Sequence, residues 1–200
     1  MKEIFKSELT AISNNHSLSA EMANHMIFEG CNILDYGCGT GRNMLYLMKN
    51  KEYTCTIEGC DINNQLVYNK DKHDIIKSKG MDIMALSEVN DSYNIILCSH
   101  VLNVIESDME KLNVLKHIHS LLKTNMSVAI IEVRTSNDIE KSKTKTPHGN
   151  GYKIKCKGSW TYQEGINKDK MEELIKIAGF GKIEYHKCNK SKHILIVRKG

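Results

Sequence analysis

The period of apolar and polar positions changes several times along the chain. "SLSAEMANHMIFEG" brings Leu18, Met22, Met26 and Ile27 near one helical face. Residues 1–30 are therefore expected to form a helical cap, with Ser17 or Ser19 as N-cap and Gly30 as the stop. "NILDYG" is an apolar run that ends in an acid and predicts a buried strand, with a helix over "RNMLYLMKN". "YTCTIEGCDI", rich in β-branched residues, predicts a second strand. "NQLVYNKDKHDIIKS" predicts one helix closed by Gly80, and "MDIMAL" and "YNIILCSH" two further strands. In "DMEKLNVLKHIHSLL", Leu112, Leu115, Ile118 and Leu122 share one side of an amphipathic helix. "SVAIIEVR" predicts a fifth strand, "KDKMEELIKIAGF" a helix ended by Gly179, and "KIEYHKC" and "KHILIVRK" two closing strands.

Strands that alternate with helices predict an α/β fold in three layers, a mostly parallel sheet covered on both faces. The last two strands have no helix between them, which predicts an antiparallel C-terminal hairpin. No repeat or linker divides residues 1–200, so a single domain is expected, with a lysine-rich insertion at 135–165.

Composition changes this picture little. The chain is 40% hydrophobic, enough for a core, and its net charge is +4. Lysines crowd "EKSKTKTPHGNGYKIKCKG", residues 140–158, which suits an anionic substrate, a nucleic acid or simply a solvated loop. The seven cysteines, Cys31, Cys38, Cys55, Cys60, Cys98, Cys156 and Cys188, form no CxxC pair. Reduced, partly buried thiols are expected, and no metal site. His117 and His119 are expected at the surface. No run of about 18 apolar residues is present, and "MKEIFKSELTAISNNHS" lacks a signal-peptide core, which predicts a cytoplasmic protein.

The candidate chemistry begins at "DYGCGTGR". Gly37, Gly39 and Gly41 alternate, whereas a dinucleotide turn needs GxGxxG and a P-loop needs a Lys-Ser/Thr pair. The spacing favours a ligand without phosphate. Asp61 ends the second strand about 20 residues further on, where a carboxylate accepts from both ribose hydroxyls.

"ILDYGCGTGRN", "GCDIN" and "GMDIMALSEVNDSYNIILCSHVLNVI" together resemble class I, Rossmann-like S-adenosylmethionine-dependent methyltransferases over residues 17–200. The resemblance implies a seven-stranded sheet and S-adenosyl-L-methionine as cofactor. It places Asp35, Gly37, Gly39 and Gly41 at the methionine end, and Asp61 with Ile62 at the ribose. Asp82 and Ile83 would flank the adenine, and Ser99 and His100 would sit near the sulfonium. Asn94 stands where the family pattern has an acid, a departure that concerns the strand more than the ligand. Any base the acceptor needs is expected at His100, with Glu132, Tyr36 and Tyr162 behind it.

Pro147 is the only proline, so neither the Asp/Asn-Pro-Pro-Tyr motif of amino-group DNA methyltransferases nor the Pro-Cys of cytosine C5 enzymes exists here. A second resemblance, through "SLSAEMANHMI", "VLNVIE" and "WTYQEG", is to methyltransferases associated with DNA phosphorothioation islands. It implies that Trp160, Tyr162 and Gln163 lie on the acceptor side. A small-molecule acceptor is favoured. An RNA or other nucleic-acid acceptor met by residues 140–158, and a cofactor-binding module without transfer activity, are the alternatives.

Overall fold

The computed structural model describes residues 5–10, 15–50 and 52–200, with backbone alone at 185–188. Expectations that fall on residues 1–4 and 11–14, or on the Cys188 thiol, lie outside the described residues. Ten strands and seven α-helices are described. They are α1 (Leu18–Asn24), β1 (Cys31–Tyr36), α2 (Arg42–Leu47), β2 (Cys55–Asp61), α3 (Asn63–Tyr68), α4 (Lys70–Lys77), β3 (Asp82–Ala85), β4 (Ile95–Ser99), α5 (Asp108–Leu121), β5 (Val128–Arg134), α6 (Ser136–Ile139), β6 (Lys145–His148), β7 (Gly151–Cys156), β8 (Ser159–Gln163), α7 (Lys168–Ile177), β9 (Phe180–Cys188) and β10 (Lys192–Lys199).

Seven strands form one sheet in the order β3-β2-β1-β4-β5-β10-β9. The first five pair in parallel, and β10 runs antiparallel to both β5 and β9, the expected hairpin. Helices on both faces bury the strands twice over, which is why their sequences are nearly continuous apolar runs. Successive side chains then enter opposite cores. Leu34, Ile96 and Ile131 meet α5 and α7, while Ile33, Leu97 and Ile130 meet α1, α2 and α4. The strand order reverses beside β1, and in such sheets the crevice outside the carboxyl ends at that point is the ligand position. Asn94 serves the strand: its Oδ1 accepts from the Asn32 amide at 2.9 Å, fastening β4 to β1.

Three local expectations are corrected. The first helix is short: Ser17 caps it through Ala20 N–H, and it ends at Asn24. Gly30 does not stop it but, at φ +74°, turns the chain into β1. The helix expected over residues 64–78 breaks at Asn69 into α3 and α4. There Gln65, Asn69 and His73 turn inward instead of apolar residues. Gln65 donates to the Ser7 carbonyl and receives the Asn69 amide, and His73 Nε2 lies 2.7 Å from the Gly39 carbonyl. Third, His117 and His119 are half-buried, one hydrogen-bonded to Tyr36 and the other edge-on to Phe180.

The lysine-rich insertion is a folded unit. After α6, strands β6, β7 and β8 form a separate antiparallel sheet. Its second hairpin turns at Lys157-Gly158, both with positive φ, as a tight two-residue hairpin requires. The N-terminal segment closes onto it: Lys6 N–H donates to Trp160 O, and the Cys156 thiol donates to Leu9 O.

Candidate active site

A cavity of about 820 Å³ opens above the carboxyl ends of β1, β2, β3 and β4. Its floor is Tyr36, Gly37, Cys38 and Gly39 after β1, Asp61 and Ile62 after β2, Leu86 after β3, and Ser99 and His100 after β4. Ser7, Leu9 and Thr10, together with β7 and β8, cover the other side. A pocket of this size suits a pair of small molecules.

The glycine turn is held by its own partners. Gly37 has φ +72°, and a Cβ there would stand 2.4 Å from Val101 Cγ2, so only glycine fits. Asp61 Oδ2 accepts from the Gly39 amide at 2.7 Å and Oδ1 from the Ile62 amide at 2.8 Å. Burial raises the Asp61 carboxyl above its ordinary range, and those two amides oppose the rise. Each oxygen keeps a lone pair for a ligand hydroxyl. Gly41 does not reach the cavity. It opens α2, and a Cβ there would strike Ile76 Cδ1 of α4, so its work is helix packing.

Asp35 lies beneath the floor, not in the wall, and is 1% exposed. Its Oδ1 accepts from Asn43 Nδ2 at 3.2 Å, while its buried Oδ2 has no partner. Burial pushes its carboxyl up to about 7, against the Asn43 hydrogen bond and Arg42. From Asn43 a buried polar network continues through Ser17, Ser19 and Ser99, with Ser19 Oγ 2.6 Å from Ser99 Oγ. Ser19 N–H carries it on to Glu132 Oε2 at 2.9 Å.

Glu132 is fully buried in the middle of this network. Its Oε1 accepts from Lys192 Nζ at 2.6 Å and lies 3.2 Å from His100 Nε2. Burial alone would raise this carboxyl, but His100 and Lys192 hold it well below the usual carboxylate range. Glu132 is therefore an ionised anchor rather than a base. His100 has φ +64°, a left-handed backbone that histidine adopts at some cost. The turn brings its own N–H to Glu132 O at 2.8 Å and its ring to Glu132 Oε1. With Nε2 on the carboxylate, Nδ1 is left buried and unpartnered. This is the arrangement by which a carboxylate fixes an imidazole tautomer and leaves the other nitrogen a lone pair.

Other candidates are placed elsewhere. Asp82 and Ile83 do not reach the cavity. They open β3, paired with Glu58 and Gly59, while β2 reaches the cavity at Asp61. Three residues of strand, about 10 Å, separate Asp82 from the carboxyl end of β3. Asp82 is exposed beside Lys77, and Ile83 is core; Leu86 takes the place in the wall. Tyr36 lines the floor, but its hydroxyl is 3.1 Å from His117 Nδ1, and burial pushes its ionisation far up. Tyr162 faces away and donates to Glu164, whereas Thr161 and Gln163 face the cavity, as strand alternation requires. Trp160 is on the outward face with Tyr162 and is absent from the wall. Sequence reasoning missed Asn43, Arg134 and Lys192. Arg134 and Lys192 follow from the register, since they pair across β5 and β10 at the end that carries Glu132.

Among the described residues the cysteines are free, Cys31, Cys38, Cys60 and Cys98 buried, Cys55 and Cys156 half-buried. No described helix is long and apolar enough to cross a membrane.

This strand order, with a glycine turn and an acid at the ends of β1 and β2, is the arrangement that the methyltransferase resemblance implies. The chain belongs to the methyltransferase-domain family, whose model matches residues 8–180. Its fold is similar to an S-adenosylmethionine-dependent methyltransferase from Clostridium acetobutylicum, with 14% identity, 92% of this chain and 89% of that one covered, and a TM-score of 0.64. It is also similar to 1,6-didemethyltoxoflavin-N1-methyltransferase from Burkholderia thailandensis, solved with 1,6-didemethyltoxoflavin and S-adenosylhomocysteine (17% identity, 96% and 78% covered, TM-score 0.66). Magnesium protoporphyrin IX methyltransferase from Synechocystis, solved with S-adenosylmethionine, is a third (16% identity, 92% and 76% covered, TM-score 0.58). None of the curated proteins matches the chain.

Proposed function

We propose that the protein transfers a methyl group from S-adenosyl-L-methionine to a small-molecule acceptor enclosed in this cavity. The observation that carries the reading is the shared opening: the glycine turn, Asp61 and His100 line one space, roofed by the chain itself.

The residues fit the cofactor. Asp61 offers two acceptor oxygens for a ribose, and Ile62 and Leu86 offer apolar surface for a base. The unpartnered Asp35 oxygen behind the turn favours a cationic amino-acid end above it. Bound there, S-adenosylmethionine supplies a methyl group already activated by its sulfonium.

The chain's own contribution is alignment. The glycine turn and Asp61 hold one end, and the Ser99–Asn43 network fixes the floor. Glu132 orients His100 in the cavity wall, and because its Nδ1 is buried the ring positions the acceptor rather than taking its proton. The 7–10 segment and β7–β8 exclude water. The roof also favours a small acceptor over a nucleic-acid strand, because the lysine-rich segment forms that roof. Neighbours named for small-molecule substrates support the same reading.

Labelled S-adenosylmethionine incubated with fractionated lysate tests it. Label should pass to the small-molecule fraction and stop in His100→Ala. Transfer only to RNA or DNA, or to nothing, would overturn the reading.

A further inference from the structure

Resting on that reading, we infer that the acceptor carries a carboxylate, held at the far end of the cavity from the glycine turn by Arg134 and Gln163. The inference comes from which hydrogen-bonding groups in that half are spent and which remain.

Arg134 is the centre. Its Nε donates to Asp138 Oδ2 at 2.7 Å, and its Nη1 donates to Gln163 Oε1. Since guanidinium only donates, Gln163 must turn its oxygen toward Arg134 and its NH₂ elsewhere. Three guanidinium N–H groups and both N–H of the Gln163 amide therefore remain. Lys155 of β7 pairs with Trp160 and shares its outward face, so its side chain lies away from this wall. Lys192 uses one of its three donors on Glu132. The acceptors left in this half are hydroxyl oxygens. Asn103 is consumed wholly by the backbone at Arg134 and Glu164, while Thr161 Oγ1 spends its proton on Ile154 O and keeps its lone pairs. Asp138 is the one carboxylate of this wall. Burial would raise it, but Arg134 and Lys141 hold it ionised and occupied.

Arg134 and Lys192 are each matched by a carboxylate, Asp138 and Glu132, but their spare N–H groups and the Gln163 amide leave the wall with an excess of donors, whose complement is a group rich in acceptors. A planar carboxylate matches the Arg134 fork better than a point charge does. Leu9, Ile105, Val114 and Ile154 line the same cavity and suit an apolar body between that carboxylate and the methylated atom near His100.

The wall is also rigidly mounted. Glu164, next to Gln163, is 2% exposed and receives Lys111 at 2.6 Å, Lys170 at 2.5 Å and the Tyr162 hydroxyl at 3.0 Å. Fixed donors lose little on meeting a ligand, which makes them selective.

Calorimetry on the S-adenosylhomocysteine-saturated protein tests this with matched probes: para-hydroxybenzoate against para-hydroxybenzamide, a hydroxynaphthoate against its amide, and phenyl phosphate. The carboxylates should bind about tenfold or more tightly than their amides, the size of one charge-assisted pair, and more tightly than the phosphate. Arg134→Met should erase that preference and Arg134→Lys reduce it. S-adenosylhomocysteine affinity should be unchanged in both variants, which also reports their folding. Equal binding of acid and amide, a preference kept in Arg134→Met, a stronger phosphate, or no binding by any probe would overturn the inference. Failure of S-adenosylhomocysteine itself to bind would instead strike the methyl-transfer reading, and this one with it.

Discussion

Asp35→Asn should make the protein more stable at pH 8 while weakening its hold on the cofactor. The carboxyl is fully buried and its pKa stands at about 7 against an ordinary 3.8. A carboxyl raised on folding stabilises the fold below its unfolded pKa and loses that contribution as pH rises through the folded value. The penalty is thus absent below about pH 4, grows to about pH 7 and stays constant above. Three units correspond to roughly 4 kcal/mol. The amide removes this penalty and keeps the Asn43 hydrogen bond. It leaves a buried N–H₂ where Oδ2 already lacks a partner, at a cost of about 1–3 kcal/mol. The variant should therefore gain roughly 1–3 kcal/mol at pH 8 and about nothing at pH 5. Denaturant titrations at the two pH values measure both. In parallel, wild-type affinity for S-adenosylhomocysteine should rise from pH 6 to pH 8 as Asp35 ionises, and the variant should bind at least about tenfold more weakly with no such rise. Equal destabilisation at pH 5 and pH 8 would refute the reasoning, since it would mean that the buried carboxylate carries no ionisation penalty.

Asp82→Asn, at the wrong end of β3, should leave S-adenosylhomocysteine affinity within about twofold of wild type by calorimetry. Glu132→Gln should cost about 3 kcal/mol in chemical denaturation, because it strips a buried carboxylate from both Lys192 and His100. Gly37→Ala combines a φ of +72° with the Val101 clash, and should lose about 1–3 kcal/mol of stability together with cofactor binding.

The sheet was legible because both faces are buried, so each strand is a continuous apolar run, and helices with apolar faces fall between them. The missed local features share one cause: polar residues used inside the fold. Gln65, Asn69 and His73 look solvent-facing in sequence, yet they turn inward to hold Ser7 and Gly39, and the helix breaks there. In "GYKIKCKGSWTYQ" the alternation of a two-faced strand is present, but lysine density suggested a loop. The glycine turn and Asp61 were legible because a tight turn and a ribose partner demand particular residue types. Asp82 misled because an acid beside the third strand suggests adenine, while only register tells which end of β3 it occupies. Arg134 and Lys192 were invisible to local pattern, since a long-range strand pairing brings them together.

Calorimetric titration of S-adenosylhomocysteine into wild type and Asp61→Ala tests the central claim most directly. One site per chain is predicted, with affinity falling at least about tenfold in the variant, because Asp61 both faces the cavity and fastens Gly39. Absence of binding by the wild type, or undiminished binding by Asp61→Ala, would contradict it.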